Sequence, residues 1–234
     1  INSKKKYFFF NKKKKKDKKN SNYFFINKKK SEALIYKNFF ENVFSMKFKF
    51  RPNLSCNVRK KKIIGIHTGS SDFLNYKRWD INKFIYLIKK LLKDNYDVFL
   101  FGKGPQETKI NKIISNTIKD KKLINYTNKL SLKNLILSIR NCKLIVSNDS
   151  GIMQLSAYLN VKTIGLFGPT SEIKNLPLSN NFVAIRSFSK KYCNKFTNMV
   201  CNNCKFNDKY SSQTECLKKI DPEFVYTKII KILK

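Results

Sequence analysis

From residue 63 onward, short apolar runs and amphipathic helical stretches take turns along the chain. Residues 63–66 (IIGI) form a brief, wholly apolar run of the kind a strand buried on both faces requires. Asp80 then caps a helical stretch in which Ile81, Phe84, Ile85, Ile88, Leu91 and Leu92 recur every three or four residues. Residues 96–101 read as the next strand, halted by Gly102 and Gly104. Helix over 107–117, strand over 123–126, helix over 131–140, strand over 144–146, helix over 150–159 and strand over 163–167 continue the alternation. Residues 221–233 close it as an amphipathic helix, with Pro222 in its first turn, where a missing N–H costs nothing. Repeated units of this kind predict an α/β, Rossmann-like fold: a parallel sheet with helices on both faces. Ligands of such sheets sit beyond the carboxyl ends of the strands, which directs attention to the loops after residues 66, 101, 147 and 167.

The first 62 residues are of another kind. Lysines at 4–6, 12–16 and 28–30 enclose the aromatic clusters 7–10 and 23–25, and blocks of like charge favour an unfolded segment. No apolar stretch is long enough for a secretory signal, and none in the chain approaches the ~20 residues of a membrane-spanning helix. Ser31 reads as a helix N-cap, followed by a stripe of Ala33, Leu34, Phe39, Phe40, Val43 and Phe44. Residues 51–62, with Pro52, read as a linker. The expected organisation is a lysine-rich extension and linker over 1–62, a remnant of or replacement for another domain, and one α/β domain over 63–234 that ends in a cysteine-containing segment and the closing helix.

Composition sets limits on function. The 234 residues carry a net charge of +35, of which +18 falls within residues 1–62. Such an excess draws a chain towards polyanions. A coding bias towards Lys, Asn, Ile and Phe would give the same surplus. With 41% hydrophobic residues and 20 phenylalanines the chain is not disordered throughout. Lysine with interleaved Tyr and Phe over residues 4–30 would suit single-stranded nucleic acid. Yet only five of the 50 basic residues are arginines, and no nucleic-acid module is present, so no specific nucleic acid is expected.

Two loops could carry chemistry. In LIVSNDSGIMQ a buried strand ends in Asn148-Asp149-Ser150-Gly151 and turns directly into a helix, aiming first-turn N–H groups and the positive end of the helix dipole out of the sheet edge. That suits a phosphate or diphosphate; simple helix capping by Asp149 and Ser150 is the competing explanation. Gly168-Pro169-Thr170 leaves the next strand at the same edge as a tight turn with a hydroxyl, which turn chemistry alone also explains. The sole histidine, His67, ends the first strand, either as a general base or as a packed strand-end residue. Cys193, Cys201, Cys204 and Cys216 lie close enough in sequence for a structural zinc site, although their spacing is irregular. Cys56 and Cys142 read as lone packing residues.

The stretch VSNDSGIMQLSAYLNVKTIGLFGPTSE resembles the signature of glycosyltransferase family 9, the ADP-heptose:lipopolysaccharide heptosyltransferases. IGIHTGSS, YKRWDINKFIYLIKKL and VFLFGKGPQE resemble the family's upstream segments in the right order. LPLSNNFVAI and the cysteine-containing tail are similar to the heptosyltransferase II branch. The likeness covers residues 63–234 and, more faintly, 31–62.

The resemblance implies the C-terminal, donor-binding half of a two-domain GT-B fold and an inverting transfer with no catalytic metal and no cofactor. The donor would be ADP-heptose and the acceptor the lipopolysaccharide inner core. Asp149, Ser150 and Gly151 would hold the diphosphate, and Lys77 would meet charge on the leaving group. Thr68 and Ser70 would add phosphate contacts, and Glu107 would hold the ribose. Gln154, Gly168, Pro169 and Thr170 would line the site. Gln154 stands where the family pattern has His, an amide in place of an ionisable ring. A transferase of this kind needs a carboxylate base. Before residue 63 the only acids are Asp17, Glu32 and Glu41, none in a Gly-loop context. The base is therefore expected in an acceptor domain that this sequence lacks, and the chain, as a fragment or a decayed product, is expected to be incomplete for catalysis. The alternatives are a non-catalytic remnant, or a basic nucleic-acid-binding protein acting through the lysine and aromatic residues of the N-terminal tail. The expected setting is cytoplasmic, peripheral at the inner membrane, where surface lysines would favour anionic lipid.

Overall fold

A computed structural model describes residues 8–10, 23–25, 30–47, 62–70, 75–187 and 214–234. Strands β1 (Phe8–Phe10) and β2 (Tyr23–Phe25) pair in parallel as a small separate sheet. The lysine-rich opening was expected to be unstructured, but its two aromatic clusters have the β-propensity to pair with each other. Helix α1 (Glu32–Phe44) starts at Ser31, whose hydroxyl accepts the Leu34 N–H at 3.2 Å. The stripe expected to bury this helix is only partly covered: Phe40 and Phe44 are exposed, as is Tyr36 beside it. The Glu32 N–H donates to the Lys174 carbonyl at 2.9 Å and ties the helix to the main domain.

The main sheet comprises β3 (Ile63–His67), β4 (Asp97–Phe101), β5 (Leu123–Asn125), β6 (Leu144–Asn148), β7 (Lys162–Phe167) and β8 (Phe182–Arg186). Between and after them run α2 (Ile81–Lys93), α3 (Pro105–Ile118), α4 (Leu132–Asn141), α5 (Gly151–Tyr158), the short α6 (Glu215–Lys218) and α7 (Pro222–Leu233). All pairings are parallel, in the order β5-β4-β3-β6-β7-β8. The chain begins at the centre, builds outward to one edge, then returns to the other flank of β3. The order therefore reverses between β3 and β6, the place where a doubly wound sheet opens a ligand crevice. His67 lies opposite Ser147 at that reversal.

Period-two alternation sends apolar side chains to both faces. Ile64, Ile66, Leu144 and Val146 join one core, against Phe84, Leu87, Ile88, Leu91 and Leu92 of α2 and Val225 and Ile229 of α7. Ile63 and Ile145 join the other, with Ile139 and Cys142. Each fully buried side chain of α2 contributes about 1.5–3 kcal/mol. Asp80 caps α2 by accepting the Asn82 N–H at 2.7 Å. Trp79 donates from its indole to the Ile220 carbonyl at 3.1 Å and packs edge-on to Phe84, fixing the approach to α7. Among the described residues no helix is long and apolar enough to cross a membrane.

Candidate functional site

The loops after β3 and β6 meet across the reversal point, and one buried side chain joins them. Asn148, at the end of β6, donates to the carbonyls of Thr68 (2.8 Å) and Gly69 (3.2 Å) and accepts the Trp79 N–H (3.1 Å). Arg78 adds a second clamp, donating from one guanidinium nitrogen to the Ser70 carbonyl at 3.3 Å and from the other to Gln106 at 3.4 Å. The segment carrying Lys77, a single 3-10 turn over Asn75–Lys77, is thereby held against the end of β6.

Lys77 Nζ lies 2.9 Å from Asp149 Oδ2. The same oxygen accepts the Thr170 hydroxyl at 2.7 Å and the Asn175 side-chain amide at 2.8 Å. Three donors from three different loop positions thus converge on one oxygen of a carboxylate residue that is 7% exposed. Next along the chain, Ser150 caps α5 and takes the Met153 N–H at 3.4 Å. Gly151 is exposed, and a methyl group added there would meet no atom within 4 Å. Ser150 takes the N–H groups of Met153 and Gln154, while those of Gly151 and Ile152 have no partner within the helix, so this end presents donors and a partial positive charge beside the Lys77 ammonium.

Below this surface lies a buried polar layer. His67 Nδ1 is 3.2 Å from Ser147 Oγ and 3.1 Å from Ser150 Oγ, and Nε2 faces Glu107 Oε1 at 3.9 Å. Burial, seconded by the Arg78 guanidinium, lowers the His67 pKa to about 4, so its ring is neutral near pH 7. Glu107, in the first turn of α3, accepts the Lys103 N–H at 2.7 Å and is 5% exposed. Its carboxylate lies directly over Gly69: a methyl group at Gly69 would fall 1.7 Å from Oε1. Only glycine permits that approach.

The structure brings Lys77, Asp149, Ser150, Gly151 and Thr170 to one place. Gly168 and Pro169 are buried beneath it, with Gly168 against Leu217 of α6. Thr68 turns its hydroxyl inward to Asn111 Oδ1 at 2.7 Å, and Ser70 meets Arg78 through its carbonyl. Gln154 Nε2 donates to the Asn175 carbonyl at 2.7 Å. Cys193, Cys201 and Cys204 lie outside the described residues; Cys216 is buried, 3.1 Å from Thr214 Oγ1. Sequence reading missed Asn148, Arg78 and Asn175. Asn148 stood inside the quoted NDSG turn, whereas nothing in the sequence around Asn175 singles it out.

The sequence profile of glycosyltransferase family 9 (heptosyltransferase) matches residues 6–206. The chain belongs to this family. The match also takes in most of the lysine-rich stretch before residue 63. Lipooligosaccharide heptosyltransferase 2 of Campylobacter jejuni subsp. jejuni serotype O:2 is 30% identical over 215 residues, 87% of this chain and 64% of that protein. The structure of E. coli ADP-heptose lps heptosyltransferase II superposes with a TM-score of 0.60 at 26% identity, over 84% of this chain and 50% of that one. E. coli heptosyltransferase WaaC with ADP shares the fold, with a TM-score of 0.66 at 16% identity over 91% and 60% of the two chains. This family 9 chain thus spans between half and two thirds of the length of these relatives.

Proposed function

We propose that this family 9 chain binds ADP-heptose at the crevice between β3 and β6, as the donor-binding part of a heptosyltransferase acting on the lipopolysaccharide inner core. The observation that carries this reading is the placement of the Lys77 ammonium on Asp149, beside Gly151, the exposed first residue of α5. When a sugar–diphosphate bond breaks, negative charge gathers on the departing diphosphate. A cation and oriented N–H groups at that spot lower the energy of the charge-separated state. Asp149, an acceptor-only anion, has no donor to offer a phosphate directly. Its role in this reading is to aim Lys77, while Gly151 leaves the backbone open to close approach. A similar fold solved with ADP is consistent with a nucleoside diphosphate here.

Transfer also requires a group to take the acceptor proton. Of the three acids before residue 63, Glu41 is paired with Lys37 at 2.8 Å, Glu32 sits in the first turn of α1, and Asp17 lies outside the described residues. Glu32 is tied through its N–H to the Lys174 carbonyl, one residue from Asn175; we assign the base to no residue of this chain. Work at the cytoplasmic face of the inner membrane, with surface lysines against anionic lipid, belongs to the same proposal.

Ligand linkage tests the donor reading. ADP or ADP-heptose at about 100 times its Kd should stabilise the full chain by about 2.7 kcal/mol and raise its melting temperature accordingly. Absence of any rise at millimolar ligand would overturn it.

A further inference from the structure

We propose that Asn175 is a positioning residue for Lys77: its amide, converging with the Thr170 hydroxyl on Asp149 Oδ2, keeps that carboxylate satisfied while the ammonium turns onto the incoming diphosphate. This rests on the donor reading above and adds to it how the cation is released.

Lys77 is committed to Asp149 at 2.9 Å. An ammonium gripped by a buried carboxylate is a poor phosphate ligand, because leaving would strand a desolvated charge. The structure supplies a remedy. Asn175 Nδ2 at 2.8 Å and Thr170 Oγ1 at 2.7 Å are neutral donors on the same oxygen, and both stay when Lys77 moves. Three donors also exceed the lone pairs that one carboxylate oxygen offers, so each bond is weakened by sharing.

Asn175 is itself held on its backbone side. Its carbonyl accepts Gln154 Nε2 at 2.7 Å and its N–H donates to the Ser171 carbonyl at 3.1 Å. A line of contacts therefore runs from α5 through Gln154 and Asn175 to Asp149 and Lys77. Gln154 serves this loop through its amide, a task that needs no charge.

An isosteric change makes the role measurable. In Asn175→Asp the donor is replaced by a second carboxylate facing Asp149. The Asn175 amide meets Asp149 and, through it, Lys77; Tyr76 is near enough for Asp149 to contribute to the raising of its phenol pKa, chiefly a burial effect, and Glu32 of α1 is joined through its N–H to the carbonyl of the neighbouring Lys174. At pH 8 the added charge should hold Lys77 in place and weaken ADP binding about tenfold or more, whereas at low pH two facing carboxylates share a proton and the donor returns. The experiment is calorimetric titration of the full chain with ADP between pH 5 and 8.5, for wild type, Asn175→Asp and Asn175→Ala. The ratio of the Asn175→Asp Kd to that of wild type should fall steeply as pH drops. The Asn175→Ala ratio should stay at about three- to tenfold throughout, the loss of one neutral hydrogen bond. A constant Asn175→Asp ratio, or unaltered binding in both variants, overturns the positioning role alone. A wild-type chain that binds no ADP overturns the donor reading and this inference with it.

Discussion

The substitution His67→Asn should remove most of the protein's sensitivity to mild acid. His67 is 5% exposed and its pKa is lowered from 6.5 to about 4, first by burial and then by Arg78. Between those two values the unfolded chain takes up a proton that the folded chain refuses. Stability is therefore fully present above pH 6.5 and drains away as pH falls towards 4. The loss relative to pH 7 amounts to about 1 kcal/mol at pH 5.5 and about 2 kcal/mol at pH 4.5. The asparagine amide would keep a hydrogen-bonding group near Ser147 and Ser150 but could not titrate. Urea unfolding of both proteins at pH 7, 5.5 and 4.5 reads the difference, since carboxylates that titrate in both proteins cancel. Wild type should lose stability relative to the variant by those amounts. Parallel curves would show that His67 accepts its proton in place, and the reasoning from burial would be refuted.

Other changes probe the same architecture. Asn148→Ala strips the Trp79 N–H of its buried acceptor and should cost about 1–3 kcal/mol in chemical denaturation; an unchanged midpoint would deny Asn148 its joining role. Gly69→Ala drives a methyl group into the Glu107 carboxylate and should destabilise by about 1–3 kcal/mol, with Glu107→Ala restoring part of the loss in the double variant. Trp79→Ala empties the contact between Phe84 and the Ile220 carbonyl and should cost about 3–5 kcal/mol on thermal or urea unfolding.

The sheet was legible because its strands are short apolar runs between amphipathic helices, a pattern that burial on both faces imposes. Helix α3 starts two residues ahead of the expected position because Pro105 occupies its first turn, a signal overlooked next to Gly104. Strand β8 escaped notice because it lies at the sheet edge with Val183 exposed, so its apolar run is short and half covered. The Lys77–Asp149 pair was within reach only through resemblance: among 45 lysines, nothing local distinguishes one that folds back onto a loop 72 residues away. Thr68 shows the opposite failure. A hydroxyl just past a strand end reads as a ligand contact, yet the direction it points depends on Asn111, which no spacing rule links to it. Asn175 lies beyond sequence reading for the same reason, since its partners Asp149 and Gln154 sit more than 20 residues back along the chain.

The claim on which the rest depends is that Lys77 and the first turn of α5 together grip a diphosphate. Phosphorus NMR of ADP, titrated with the full chain and with Lys77→Ala, observes that contact at the atoms concerned. The β-phosphorus resonance should shift and broaden with the wild-type chain and scarcely respond to the variant. Identical responses to both proteins, or none to either at millimolar concentration, would contradict it.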